Sequence, residues 1–596
     1  MSTRDEPRSQ DENRTTDEPR PRWHSVKPAV FVPASLIIVG LVALAVIYSS
    51  AAAGAFGELN ALITDGVGWW YVLVTTGFVV FAIYCGASRV GTLKLGNDDE
   101  SPEFSFMAWL AMLFSAGMGI GLVFYGVAEP LSHYINPPRS LGVEAATDAA
   151  ANQAMALTMF HWGLHAWAIY VVVGLGMAYM TYRRGRPLTI RWLLEPLIGA
   201  KRVEGWMGHT VDVIAIVGTL FGVATSLGFG ITQIAAGLDY LGWIQINNWW
   251  IVGLIVVITG MATYSVVSGV GRGLKWLSNI NMALAAALAL FVALAGPTLF
   301  LLQAWVQNMG NYLYSLPELM LRTGPFTDGT WLGSWTIFYW GWWISWAPFV
   351  GMFIARISRG RTIREFVAGV LLVPTVIGSL WFTVFGDSAI LRQRNVGDML
   401  VPGEVDGVAT EVVDTNTSLF QLLNTLPLAT ITSVLAIIVI GLFFVTSSDS
   451  GSLVIDILSS GGHLDPPKAT RVYWTVLEGL AAAVLLIVGG AGSLTALQTA
   501  SIATAVPFSV IMVLACVSMT RAFHYDLATT PRLMHIKAPE SLPVHHPARH
   551  SLSDSSATLA GLVEVRRVAP GDIEVSQDTG ELVIVEPTDP LERDAE

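Results

Sequence analysis

Two stretches of this 596-residue sequence gather side chains that hold a cation without supplying a carboxylate. In GSWTIFYWGWWISWAPFVGMF, Trp335, Trp340, Trp342, Trp343 and Trp346 lie close together, with Phe338, Tyr339 and Phe349 among them. Positions 338, 342 and 346 are four apart and share one helical face, with 339 and 343 beside it. A quaternary ammonium held over such rings, away from water, gains about 2 kcal/mol or more from cation–π attraction. Aromatics that merely mark a membrane surface sit at the ends of a span, whereas these run through its middle. The second stretch, FHWGLHAWAIY, adds Trp162, Trp167 and Tyr170. Its His161 and His165 are expected to hydrogen-bond between helices rather than shuttle protons.

Two further motifs offer oxygens and backbone. SAGMGIGLVFYG carries Gly117, Gly119 and Gly121. Each glycine costs a helix interior nearly 1 kcal/mol relative to alanine, so the triplet invites unwinding, and its freed amides and carbonyls could then bind an ion or a carboxylate. The Gly117 and Gly121 spacing equally suits close helix packing, and both readings stay open. FFVTSSDSGS gathers Thr446, Ser447, Ser448, Asp449 and Ser450 at one end of a run. Such oxygens suit a hard monovalent cation, or else bond back to their own helix. Glu129, Asp212, Asp239 and Glu478, in or near apolar runs, are expected to be structural or interfacial rather than ion ligands. The spans show no nucleophile with a paired base and no metal-ligand spacing, and the two cysteines, Cys85 and Cys516, support no disulfide framework. The expectation is therefore not an enzyme.

The elements that must position these residues are membrane spans. The chain is 53% hydrophobic and only 13% charged, where soluble domains carry about 25% charged residues. About twelve apolar runs reach the roughly 20 residues that cross a bilayer as helix. The third covers residues 105–131, the fourth 153–182, the seventh 278–303, the eighth 333–355 and the tenth 428–457. Lys and Arg cluster in alternate loops, which predicts both termini in the cytoplasm. Runs three to seven and eight to twelve form two five-span sets, about 105–303 and 333–521, and an odd number per set forces the second to enter inverted. Residues 307–322 should lie along the outer surface, and 387–415 should form an outer loop. Residues 1–27 read as a disordered cytoplasmic extension. Residues 522–596 hold thirteen acids against six bases, so much of the net charge of −12 belongs to an acidic cytoplasmic tail flanking the 28–521 membrane domain. No concentrated basic face suggests a nucleic-acid partner.

Together these motifs, GMGIGLVFYG, HWGLHAWAIY, GSWTIFYWGWWISW and FFVTSSDS, resemble in the same order the signatures of the betaine/choline/carnitine transporter family, over roughly residues 28–521. The resemblance implies an all-α integral membrane protein with a leucine-transporter-like 5+5 inverted repeat preceded by two extra helices, commonly a homotrimer. It implies broken helices at spans three and eight, and a substrate box of Trp162, Trp167, Tyr170, Phe338, Trp342, Trp343 and Trp346, with Gly117, Gly119 and Gly121 facing the solute. It implies a sodium site from Ser115, Met118, Phe443, Thr446 and Ser447. A second sodium site, with Thr219 and Phe349 as its candidates, is in doubt, since Val223 stands where another threonine is expected. Gly121, where choline-transporting relatives often carry an acid, favours a zwitterion. The expected function is import of a glycine betaine- or ectoine-like compatible solute by sodium symport in a bacterial cytoplasmic membrane, with no cofactor. Proton-coupled choline uptake and carnitine/betaine exchange are the alternatives. Osmosensing members carry a basic C-terminal helix, so the acidic, proline-rich tail implies weak or differently controlled osmotic activation.

Overall fold

The computed structural model describes residues 26–117, 119–268, 271–326, 329–405, 408–488, 494–529, 573–575 and 582–584. Most of the extension 1–27 and of the tail 522–596 therefore lies outside the described residues. Helix α1 (Pro28–Ile47) begins on a proline, whose missing N–H is no loss in a first turn. The Lys27 N–H already donates to the Ser459 carbonyl at 3.0 Å, so the packed body includes that residue. Helix α2 (Ser49–Ala87) follows after the single residue Tyr48.

The apolar run 105–131 folds as two helices, α3 (Phe106–Gly117) and α4 (Ile120–Ile135), divided at the glycine triplet. Gly119 there is extended, at φ −141° and ψ −177°. Helices α5 (Asp148–Trp162) and α6 (Leu164–Ala178) meet at Gly163, where a Cβ would come within 2.8 Å of the Tyr312 hydroxyl. The short α7 (Glu195–Ile198) and α8 (Ala200–Glu204) lie in the basic loop before α9 (Trp206–Tyr240). Then follow α10 (Asn248–Ser268), α11 (Gly271–Ala295) and α12 (Thr298–Leu319). The seventh run, expected to reach 303, stops at Ala295 because Pro297 cannot continue a helix. Residues 298–303 instead open α12, the helix expected only from 307.

The second set starts with α13 (Thr330–Leu332) and a π-helical turn, Gly333–Ile337, leading into α14 (Phe338–Ile357). Contrary to expectation, α14 is continuous through Pro348, so of the two spans expected to be broken, three and eight, only span three is. The irregularity of span eight is displaced to the π turn, which relieves the ladder before the aromatic stretch. Helix α15 (Ile363–Phe382), opened by a capping box of Thr362 and Glu365, runs through a second π turn into α16 (Ser388–Asn395). The expected outer loop 387–415 also holds a hairpin of β1 (Val401–Val405) and β2 (Val408–Val412), a minor departure from an all-α chain that Val alternation hinted at. Helices α17 (Ser418–Asn424), α18 (Ala429–Ser459), α19 (Lys468–Val488) and α20 (Thr495–Thr529) complete the order.

Eleven helical segments among the described residues are long and apolar enough to cross a membrane. The remaining predicted run, the third, is the one split into α3 and α4. In the spans containing α5 with α6, α9, and α14, 94% of the apolar window is buried, against 22 to 28% in α1, α10 and α11. The first group is the core, and the second presents its apolar surface outward, as lipid contact requires. Helix α14 packs along α6 and α9, α18 along α9, and α4 along α5. Small residues permit the closest of these approaches: a Cβ on Gly174 of α6 would stand 3.2 Å from the Gly351 carbonyl of α14. Residues Thr520–Glu596 form a separate unit. Within it, β3 (Ile573–Val575) and β4 (Leu582–Ile584) pair antiparallel.

Candidate functional site

The aromatic residues named from sequence converge where α5, α6 and α14 meet. Trp342 and Trp343 stack at 4.4 Å between ring centroids and 18° between planes. Phe338 stacks on Trp342 at 5.5 Å. Trp162 meets Trp343 edge-on at 4.9 Å and Trp342 at 6.2 Å. Trp346 lies 6.3 Å from both Trp342 and Trp343, and Tyr170 lies 6.4 Å from Trp343 with Trp167 behind it at 5.5 Å. All seven are 8% exposed or less, so their π faces are withdrawn from water.

The break between α3 and α4 abuts this cluster. A Cβ on Gly119 would stand 3.0 Å from the outer ring of Trp346, and one on Gly121 would collide with Trp342 and come within 3.0 Å of Trp162. The first turn of α4, in which the Leu122 amide already donates to the Gly119 carbonyl at 3.2 Å, therefore begins among the indoles, and the Ile120 and Gly121 amides ahead of it lie at the helix start where intrahelical acceptors run out. A helix start of this kind favours an anion, while the rings beside it favour a quaternary cation. Gly117 ends α3; its surroundings, like the side chain of Ser115 and all of Met118, lie outside the described residues.

Hydrogen bonds fix three of the indoles. Trp343 Nε1 donates to the His161 carbonyl at 2.9 Å, Trp342 Nε1 to Ser226 Oγ at 3.2 Å, and Trp162 Nε1 to Glu129 Oε2 at 2.7 Å. Trp346 Nε1 and the Tyr170 hydroxyl are buried without a partner among the described residues. Glu129 is fully buried, and its other donors are the Tyr339 hydroxyl, His161 Nδ1 at 2.7 Å and His133 Nε2 at 3.2 Å. His161 Nε2 in turn faces Thr336 Oγ1 at 2.9 Å. The network is consistent with His161 donating through Nδ1 and accepting at Nε2. One carboxylate thus ties α4, α5 and α14 together behind the indoles.

Sequence reasoning placed Glu129 near a span end and missed this hub. Glu129 and His133, four residues apart on one helix face, were a legible signal; the contact with His161 was not. The ligand atoms of Glu129, His133 and His161 all lie within 4.8 Å of one another, close enough to consider a metal. Four donors already saturate the carboxylate, however, so the cluster is a hydrogen-bond hub. His165 departs from expectation: neither ring nitrogen has a partner among the described residues, and the ring stacks on Trp340 at 5.5 Å.

The proposed sodium ligands on α18 are placed as follows. Thr446 Oγ1 donates to the carbonyls of Leu442 at 2.9 Å and Phe443 at 3.2 Å, the alternative foreseen for a helical hydroxyl. Phe443 and Ser447 are buried. Near them α18 meets α4 and α9, since a Cβ on Gly230 would touch Ile120 at 3.1 Å and Phe444 at 3.4 Å. Thr219 turns its hydroxyl back to the Ala215 carbonyl at 2.7 Å, and Phe349 packs edge-on to Trp346 at 5.4 Å. Asp212 binds Arg191 through Nε at 2.5 Å and the backbone N–H at 2.9 Å, a structural ion pair as expected.

Residues 29–528 match the model of the betaine/carnitine/choline family transporters. The chain belongs to that family. It is a multi-pass membrane transporter of small osmolytes and not an enzyme. An uncharacterised transporter of Mycobacterium tuberculosis (strain ATCC 25618 / H37Rv) is 72% identical over 98% of this chain and 96% of its own length. A glycine betaine transporter of Acinetobacter baylyi is 43% identical over 85% of this chain and 74% of its own. The glycine betaine transporter OpuD of Bacillus subtilis (strain 168) is 42% identical over 85% and 97%. Membership makes the all-α multi-pass architecture a family property, with the split third span as the feature that reaches the box.

Proposed function

We propose that this transporter imports a small zwitterionic compatible solute, glycine betaine or an ectoine-like compound, by sodium symport. One observation carries the proposal: the start of α4 lies against Trp162, Trp342 and Trp346, which sets anion-binding amides beside stacked indoles. A trimethylammonium group would sit among Trp162, Trp342, Trp343 and Trp346, with Phe338, Tyr170 and Trp167 closing the box, and the carboxylate would face the amides near Gly119 and Gly121. The names of the relatives from Acinetobacter baylyi and Bacillus subtilis agree with a betaine-like solute. Sodium would be held by Ser115, Met118, Phe443, Thr446 and Ser447. The hydroxyl pair of Thr446 and Ser447 and the meeting of α18 with α4 support that assignment. We further propose a homotrimer in a bacterial cytoplasmic membrane with both termini inside.

Uptake of betaine, ectoine, proline, carnitine and choline, measured with and without sodium, tests the substrate class. The expected outcome is sodium-dependent accumulation of betaine or ectoine against a gradient. Accumulation driven by a pH gradient without sodium, with choline preferred, would replace this reading by the proton-coupled one. Thr446→Ala combined with Ser447→Ala is expected to abolish sodium dependence while leaving protein levels in the membrane intact.

A further inference from the structure

The hub at Glu129 has a counterpart that is not saturated. Glu478 lies inside the membrane span of α19 and is fully buried. Its Oε2 accepts from Ser448 Oγ of α18 at 3.2 Å, but Oε1 has no hydrogen-bond partner among the described residues. A Cβ built on Gly451 of α18 would stand 3.3 Å from that Oε1 and 3.0 Å from Val223 of α9. The free oxygen therefore points into the junction of α9, α18 and α19.

Among the described residues no Lys or Arg pairs with Glu478. From α18 the charged group acting on Glu478 is Asp449, itself an acid. Arg471 Nη2 of α19 donates to Asp449 Oδ1 at 2.5 Å, and Ser265 Oγ of α10 donates to Asp449 Oδ2 at 3.4 Å. From α9 the junction receives Val223, and from α10 the neighbouring Thr259, which would touch a Cβ on Gly479. An ionised carboxylate buried without a partner costs several kcal/mol, so the group must carry a proton or hold a cation. A carboxylate and a hydroxyl are oxygen ligands that suit a small hard cation. Ionisable residues placed this way in membrane spans mark ion pathways.

We propose that Glu478 and Ser448 form a monovalent-cation site, for a proton or sodium, at the junction of α9, α18 and α19, and that its occupancy is coupled to solute transport. The inference rests on the reading of the chain as an ion-driven importer. The test uses the whole protein in liposomes with glycine betaine as solute, in three arms: an inward sodium gradient at equal pH, an inward proton gradient without sodium, and solute counterflow with no ion gradient. Glu478→Gln keeps the side-chain shape and a hydrogen bond to Ser448. It is expected to retain counterflow and lose accumulation in one gradient arm, and that arm identifies the cation. Ser448→Ala is expected to raise the half-saturating concentration of the same cation about tenfold, the effect of one lost charge-assisted contact. Wild-type cation dependence in both variants would overturn the site. If Glu478→Gln is silent even in counterflow, the Ser448→Ala half-saturation decides alone, and an unchanged value overturns the proposal. A wild-type protein that accumulates solute under neither gradient would overturn the ion-coupled reading and this site together, whereas unchanged variants of a working importer overturn the site only.

Discussion

Two buried carboxylates frame the chemistry at the scale of single residues, and they differ in how many donors each receives. Glu129 takes four, from Trp162, Tyr339, His161 and His133, and so works as a fixed post. Removing the Tyr339 hydroxyl should cost about 1.5–3 kcal/mol, the usual worth of a hydrogen bond to a charged group. Tyr339→Phe is therefore expected to lower the thermal midpoint in detergent and to raise the half-saturating solute concentration, because Trp162 hangs from the same carboxylate. An unchanged midpoint would show that the post tolerates the loss. Trp343 tests the box directly. If its ring supplies about 2 kcal/mol of cation–π attraction, Trp343→Leu should weaken betaine affinity about 30-fold. Uptake kinetics with unaltered affinity would remove Trp343 from the substrate site.

What places these residues at the scale of elements is a set of local interruptions. The glycine triplet stops α3 and lets α4 begin against the indoles; Gly163 separates α5 from α6 beside the Tyr312 hydroxyl. A π turn at Gly333–Ile337 leads into the aromatic stretch, and α14 then runs unbroken through Pro348. Gly121 is the tightest of these positions, because any Cβ there meets Trp342 and Trp162 together. Overpacking of this kind costs about 1–3 kcal/mol or displaces the rings. Gly121→Ala is accordingly expected to leave the protein in the membrane but to reduce betaine uptake about tenfold or more. Gly253 of α10 has open space around its Cα, so Gly253→Ala serves as the control with uptake unchanged.

For the whole molecule, a weakly charged body carries an acidic tail, and regulation belongs to that contrast. A basic C-terminal segment reads anionic lipid electrostatically, whereas thirteen acids against six bases are repelled by it. Truncation after Thr529 is expected to leave both uptake and its response to raised osmolality within about twofold of the intact chain. Strong osmotic stimulation that disappears on truncation would overturn this. Much of the plan was legible in the order of the residues. Apolar runs of about 20 residues announce spans because a bilayer has one thickness, and tryptophans four apart share a face because a helix has one pitch. The glycine triplet announced the break, because glycine is poor in helices. Local periodicity could not say that Pro348 would be absorbed without a break, that Pro297 would end span seven early, or that residues 401–412 would pair as strands. The least legible features were the two carboxylates. Each is one acid beside an apolar run, and its role depends on which donors distant helices bring within about 3 Å, a matter of packing that no spacing along the chain encodes. The sequence by itself determined that this is a membrane chain with an aromatic cluster in the middle of its spans. Only the tertiary structure decided that Glu129 anchors that cluster and that one oxygen of Glu478 is left without a partner among the described residues, because both depend on which side chains distant helices bring together.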